Sequence, residues 1–174
     1  MAPLVRRSWA PRGQSAFLLQ KGRHREKVSV AGALWLSPTR DRLGLYFQTI
    51  INGYFNNEGV AGFLEDLMHW LRRPTMILWD GGTMHKGHPI EELRRQKAGQ
   101  LTLERLPAHA PELMPMEQCW SWLKYGRLCN FAPEGGAQLS ERVLNELQAI
   151  QGDQGLLRGF YHASDLPLPR ALLS

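Results

Sequence analysis

The apolar residues of this chain change their spacing twice between residues 27 and 79, and this change limits the fold more than any other feature. Residues 27–36 and 43–50 show the two-residue alternation of β-strands. After Asn57, a candidate helix cap, the apolar positions follow helical spacing up to residue 72, and the run stops before Pro74. Residues 75–79 form a short apolar run that is typical of a buried strand. This order of elements predicts an α/β protein.

The remaining segments extend this pattern. Residues 15–20 are predicted to form a strand hairpin with residues 27–36, which are apolar on both faces and are therefore expected to form a central strand. The strand at 75–79 should run parallel to its neighbour, because a helix precedes it. The alternation at 101–106 predicts another strand. We expect the four strands from residue 27 onward to share one mixed sheet, with the helix at 60–72 packed on it. Further helices are predicted at 89–97, from Pro115 onward and at 139–150.

Length and composition indicate one globular domain. With 174 residues, 43% of them hydrophobic, the chain can bury a substantial core. No apolar stretch has the length of a membrane span, and the amino terminus lacks the apolar centre of a signal peptide, so we expect a soluble, cytoplasmic protein that does not bind membranes. Cys119 and Cys129 fit neither a disulfide framework nor a zinc spacing and are expected to be reduced packing residues.

Positive charge is concentrated at the amino terminus. Residues 1–27 contain seven lysines and arginines and one glutamate, which gives +6 there, whereas the whole chain carries +5. This distribution indicates an anionic partner, with nucleic acid as the leading candidate, although a solvated hairpin would explain the same charges. The arginines expected to contact DNA are Arg6, Arg7, Arg12, Arg23 and Arg25.

Asp80 is the first candidate for a functional residue. It follows the predicted strand at 75–79, and the carboxyl ends of such strands are where α/β folds place functional groups. Gly81 and Gly82 allow a sharp turn and the close approach of a ligand. A plain turn is the alternative interpretation.

Glu117 is the second candidate. It lies in the first turn of a helix that Pro115 begins, where the helix dipole favours a carboxylate. Ser121 and Lys124 lie on the same helical face, four and seven residues further on. A solvated helix start would also explain Glu117. If Asp80 and Glu117 meet, their oxygens suit a divalent ion such as magnesium.

Two histidines follow Asp80. The spacing of His85 and His88 could chelate a transition metal, but no third histidine or cysteine ligand lies nearby. We instead expect His85 and Lys86 to face phosphate beside Asp80. Trp9 and His109, both in predicted loops, are further candidates for contact with a ligand.

Four sequence blocks, in this order and at these separations, carry a family resemblance. They are RRSWAPRGQ (6–14), KVSVAGAL (27–34), ILWDGGTMHKG (77–87) and LPAHAPELMPMEQCWSWLK (106–124), and the last two are the more specific. Together they resemble the transposases of the DDE superfamily, specifically the mariner-like and related bacterial insertion-sequence enzymes.

The resemblance implies a ribonuclease H-like fold, with a mixed sheet flanked by helices, over residues 1–130, followed by a helical extension at 131–174. It implies cleavage and joining of DNA at transposon ends with Mg²⁺ or Mn²⁺. Asp80 and Glu117, with 36 residues between them, correspond to the second and third acidic ligands of such enzymes. His85, Lys86 and Lys124 join the arginines as expected DNA contacts.

Two departures from the family pattern qualify the expected activity. Met114 stands where the family has an asparagine, which removes a helix cap. The first catalytic aspartate belongs on a strand ahead of the first block, and Asp41, in a polar turn, does not replace it. We therefore expect a truncated catalytic domain that is inactive alone. The alternatives are a non-catalytic DNA-binding or oligomerising remnant that interferes with an intact transposase, and a cellular ribonuclease H-like nuclease with a third acid from elsewhere in the chain.

Overall fold

A β-hairpin forms the first part of the fold. The computed structural model describes residues 6–7, 9–15 and 27–167. Strand β1 (Val28–Leu36) pairs antiparallel with β2 (Leu43–Ile51) through a tight polar turn, as predicted. Most of the strand predicted at 15–20 lies outside the described residues.

A strand-helix-strand unit follows the hairpin. Helix α1 (Asn57–Leu71) leads to β3 (Thr75–Trp79), and α2 (His88–Gln96) connects β3 to the parallel strand β4 (Leu101–Arg105). The predicted cap of α1 is one residue off. Asn56, not Asn57, caps the helix, because its side chain accepts a hydrogen bond from the Gly59 N–H at 2.8 Å.

The expectation of one continuous sheet is wrong for the described residues. The four strands form two separate hydrogen-bonded pairs, β1 with β2 and β3 with β4. The pairs share one core cluster, to which α1 contributes most of the buried side chains. Ala31 and Ala33 of β1 and Ile77 and Leu103 of the second pair pack against this cluster. A shared helix therefore holds them in one mixed α/β fold, which agrees with the predicted ribonuclease H-like class. In the described part of the chain, β1 has a strand partner on one edge, so its central position is not seen there.

The other face of the β1–β2 hairpin is covered by three helices. They are α3 (Pro115–Ser121), which continues into a π-helical segment (Trp122–Arg127), α4 (Gly136–Gly152) and α5 (Gln154–His162). Their buried side chains form a second core with Leu43 and Leu45 of β2. Gln151 and Gln154 hydrogen-bond to the backbone of those same two residues and so cap the outer edge of β2.

Helix α5 was not predicted from the sequence. Its signals are present: the Asp153 side chain accepts a hydrogen bond from the Leu156 N–H at 2.9 Å, and Leu157 and Phe160 are buried at helical spacing.

The predicted packing role of the cysteines is confirmed for Cys119, which is buried. Burial raises the pKa of its thiol to about 12, and both cysteines are free.

The expectation that β3 is buried is correct for one face only. Trp79 is buried against α1 and α2, whereas Met76 and Leu78, on the opposite face, are 63% and 51% exposed. The reason is that no helix in the described part of the chain covers that second face.

No helix among those residues is long and apolar enough to cross a membrane.

Candidate metal and DNA-binding site

Asp80 follows the last residue of β3, as predicted, and its carboxylate is held in one orientation. Oδ1 accepts a hydrogen bond from the Gly82 N–H at 2.8 Å and lies 2.8 Å from Nδ1 of His85. Within residues 6–7, 9–15 and 27–167, Oδ2 has no hydrogen-bond or ion-pair partner. The side chain is 56% exposed. Asp80 therefore has one fixed oxygen and one available oxygen, which suits a ligand of a hard divalent cation.

Gly82 lies close against the Asp80 carboxylate. A Cβ added there would lie 2.8 Å from Oδ1 of Asp80 and 3.5 Å from Nδ1 of His85, so the carboxylate would have to move. At Gly81 the same substitution would meet nothing within 4 Å. A side chain at position 82 would therefore crowd the Asp80 carboxylate, whereas a side chain at position 81 would not.

The His85 side chain is held by ring stacking as well as by its contact with Asp80. The imidazole stacks on the Trp79 indole, with the ring centroids 4.6 Å apart and the planes 8° from parallel. Trp79 is itself buried in the core beneath α1 and α2. His85 thus connects the orientation of Asp80 to the core.

The loop after Asp80 is tied to the start of α1. The Asn57 side-chain amide donates hydrogen bonds to the carbonyl oxygens of Thr83 and Lys86. Gly87 follows with a φ of 99°, in the region that favours glycine, and leads into α2. The Lys86 side chain is exposed, as its expected phosphate contact requires.

Glu117 lies in the first turn of α3 with an exposed side chain, as predicted. Met114 provides no side-chain cap to this helix, which agrees with the effect inferred from its departure from the family pattern. Glu117, Ser121 and Lys124 line one open groove of about 310 Å³. Gln118, Trp120 and Tyr125 complete the lining.

The described residues contain no cluster of three candidate metal ligands. Among the residues that the structure describes, no group of three histidine, cysteine, aspartate or glutamate side chains could hold a metal ion. Asp41 is held within its own turn, where hydrogen bonds from the Thr39 and Ser37 hydroxyls lower the pKa of its carboxyl. This agrees with its exclusion from the predicted site.

The predicted DNA-contacting arginines are in different situations. Arg7 and Arg12 are exposed, whereas Arg23 and Arg25 lie outside the described residues. Arg6 is exposed but has intramolecular partners: its Nη1 donates to the Tyr125 carbonyl at 2.9 Å and its backbone N–H to Oδ1 of Asn130 at 2.9 Å. Sequence reasoning missed Tyr125 and Asn130, because they lie more than 100 residues from Arg6.

The fold is that of a ribonuclease H-like α/β domain with exposed acidic residues, a class that includes metal-dependent nucleases. Residues 2–133 match the family model for DDE superfamily endonucleases, so the chain belongs to this family. No curated protein matches the chain. The family consists of transposase-type nucleases, which generally use divalent metal ions, and DNA is the substrate that membership implies.

Proposed function

We propose that this chain is a transposase catalytic-domain unit that binds Mg²⁺ or Mn²⁺ through Asp80 and Glu117 and engages the ends of a transposable element. The main support is the Asp80 carboxylate, whose Oδ1 is fixed by Gly82 and His85 while Oδ2 is available. Asp80 and Glu117 would hold the divalent ions, and the chemistry that the ions would supply is activation of the attacking water or hydroxyl and stabilisation of the leaving oxygen.

The chain's own residues have separate roles in this proposal. Asp80 and Glu117 supply the oxygen ligands. His85 and Gly82 hold Asp80 in place, so that little reorganisation is needed when an ion binds. Lys86 and Lys124 contact the phosphates of the bound strand, together with the exposed arginines.

The orientation of Asp80 can be tested by exchanging its neighbouring glycines. We expect Gly82→Ala to weaken Mn²⁺ binding about 10-fold, because partners outside the ligand shell typically contribute 10- to 100-fold to metal affinity. Gly81→Ala is the matched control and should bind Mn²⁺ as the wild type does, since its Cβ would meet no atom within 4 Å. Isothermal titration calorimetry gives the affinities. Equal affinities in both variants, or no binding by the wild type, would contradict the proposal.

We further propose that the 174-residue chain by itself does not cleave DNA. Two divalent ions bring four positive charges, and Asp80 with Glu117 offset only two before the DNA arrives. A third carboxylate, from a segment paired with the sheet or from an intact transposase, would be needed to hold the second ion. Alone, the chain would then bind DNA or assemble with the intact enzyme and interfere with it.

We expect no strand cleavage when the purified chain is incubated with plasmid or oligonucleotide DNA and Mg²⁺ or Mn²⁺. Added to an active relative, it should reduce that enzyme's cleavage. Cleavage by the chain that disappears in Asp80→Ala would show that two carboxylates of this chain suffice.

A further inference from the structure

Tyr125 combines three features at the edge of the groove that contains Glu117. Its side chain is 47% exposed and lines the groove. The Arg6 guanidinium lies over its ring, 5.8 Å from the centroid, within the range of a cation–π contact. Arg6 is fixed there by its hydrogen bonds to the Tyr125 carbonyl and to Asn130. The ring is therefore held in place at the groove and remains about half exposed.

The π-helical segment explains why Tyr125 shares a groove with Glu117. At 3.6 residues per turn, eight residues of α-helix would leave the two side chains about 80° apart. In the segment Trp122–Arg127 the turn is wider, as shown by the bond from the Leu128 N–H to the Leu123 carbonyl at 2.9 Å. Each residue there rotates by a smaller angle, which brings Tyr125 back toward the face of Glu117.

This segment is anchored to the rest of the fold. Nε of Arg127 donates a hydrogen bond to Oε2 of Glu146 at 2.7 Å, and Glu146 is buried in α4. Arg142 forms a second ion pair with Glu146 at 3.0 Å. The ion pair of Arg127 with Glu146 thus ties the π-helical segment that carries Tyr125 to α4.

We propose that Tyr125 stacks on an unpaired base of the DNA strand that passes Glu117, an inference that rests on the proposed function. Eight residues at about 1.5 Å each span about 12 Å. At the duplex spacing of about 3.4 Å per phosphate along the axis, this distance corresponds to three to four nucleotides between the stacked base and the phosphate at Glu117. Lys124, in the same groove, contacts a phosphate between them. The ring selects for an unpaired base, since only such a base exposes its face.

The experiment compares single-stranded and blunt duplex DNA in the full chain. The probe is a fluorescein-labelled oligonucleotide of about 12 nucleotides, within the usual site sizes of single-strand binding proteins. We expect Tyr125→Leu to weaken single-strand binding roughly 5- to 150-fold and to leave duplex binding within about twofold, because duplex binding depends on phosphate contacts. Tyr125→Phe, which keeps the ring, should bind both forms as the wild type does.

Two further measurements test the stacking and its location. A 2-aminopurine in the single strand should lose fluorescence on binding to the wild type and to Tyr125→Phe, but not to Tyr125→Leu. Tyr54 is the matched control: it is 73% exposed, and the Lys27 ammonium lies 5.2 Å from its ring centroid, but it does not line this groove. Tyr54→Leu should leave single-strand affinity unchanged.

The possible failures can be told apart. If the wild type binds DNA and Tyr125→Leu binds a single strand as tightly, the stacking inference is wrong and the proposed function stands. Equal losses for single-stranded and duplex DNA, or an equal loss in Tyr54→Leu, also overturn the inference. If the wild type binds neither form of DNA, both the inference and the proposed function fail.

Discussion

Asp80→Asn is expected to weaken Mn²⁺ binding about 100-fold or more, because loss of a partner outside the ligand shell already costs 10- to 100-fold. Asparagine keeps the size of the side chain and an oxygen that can accept the Gly82 N–H. It removes the negative charge that a hard divalent ion requires of its few protein ligands. The substitution therefore separates the charge of Asp80 from its place in the loop. Mn²⁺ titration followed by electron paramagnetic resonance measures the free ion directly and does not depend on catalytic activity.

The control is another exposed aspartate. Asp66 on α1 accepts a hydrogen bond from Nε2 of Gln48 at 2.8 Å and has no role in the proposed site. Asp66→Asn should bind Mn²⁺ as the wild type does. Glu117→Gln tests whether the second acid shares the ion. An unchanged affinity in that variant would remove Glu117 from the ligand set, and an unchanged affinity in Asp80→Asn would overturn the site.

Leu147→Ala is expected to lower the free energy of unfolding by about 2–5 kcal/mol, the usual cost of a large-to-small change in a packed core. Leu147 of α4 is 0% exposed and lies in the core that α3, α4 and α5 form on β2. The leucine is surrounded by helices and strand, so the cavity cannot collapse easily. Urea denaturation followed by tryptophan fluorescence and by circular dichroism measures the change.

Leu78→Ala provides the matched control for this substitution. Leu78 is 51% exposed on the open face of β3, so its replacement should change stability by no more than about 0.5 kcal/mol. The same experiment tests the division of the chain at residue 130, which stays a prediction. Coincident transitions by both probes would show that α4 and α5 unfold with the strands as one unit. A loss of less than 1 kcal/mol in Leu147→Ala would contradict the packing described for α4.

Much of the fold could be predicted because its signals are local. The alternation at residues 43–50 and the helical spacing before Pro74 gave the types of β2 and α1, with ends within one to three residues. Helix α5 was missed although Asp153 and Leu157 carry ordinary helix signals. The two-pair arrangement of strands had no local signal, because hydrogen bonding between strands depends on how α1 positions them.

The sequence by itself determined where the two candidate metal ligands lie relative to strands and helices. The apolar run at residues 75–79 predicted that Asp80 follows a strand. Pro115 predicted the start of the helix whose first turn contains Glu117. Only the tertiary structure decided which side chains meet. The contact of Arg6 with Tyr125 joins residues 119 positions apart, and the bond of Gln154 to Leu43 joins residues 111 apart. Such contacts depend on packing between distant elements, and residue spacing along one element carries no information about them.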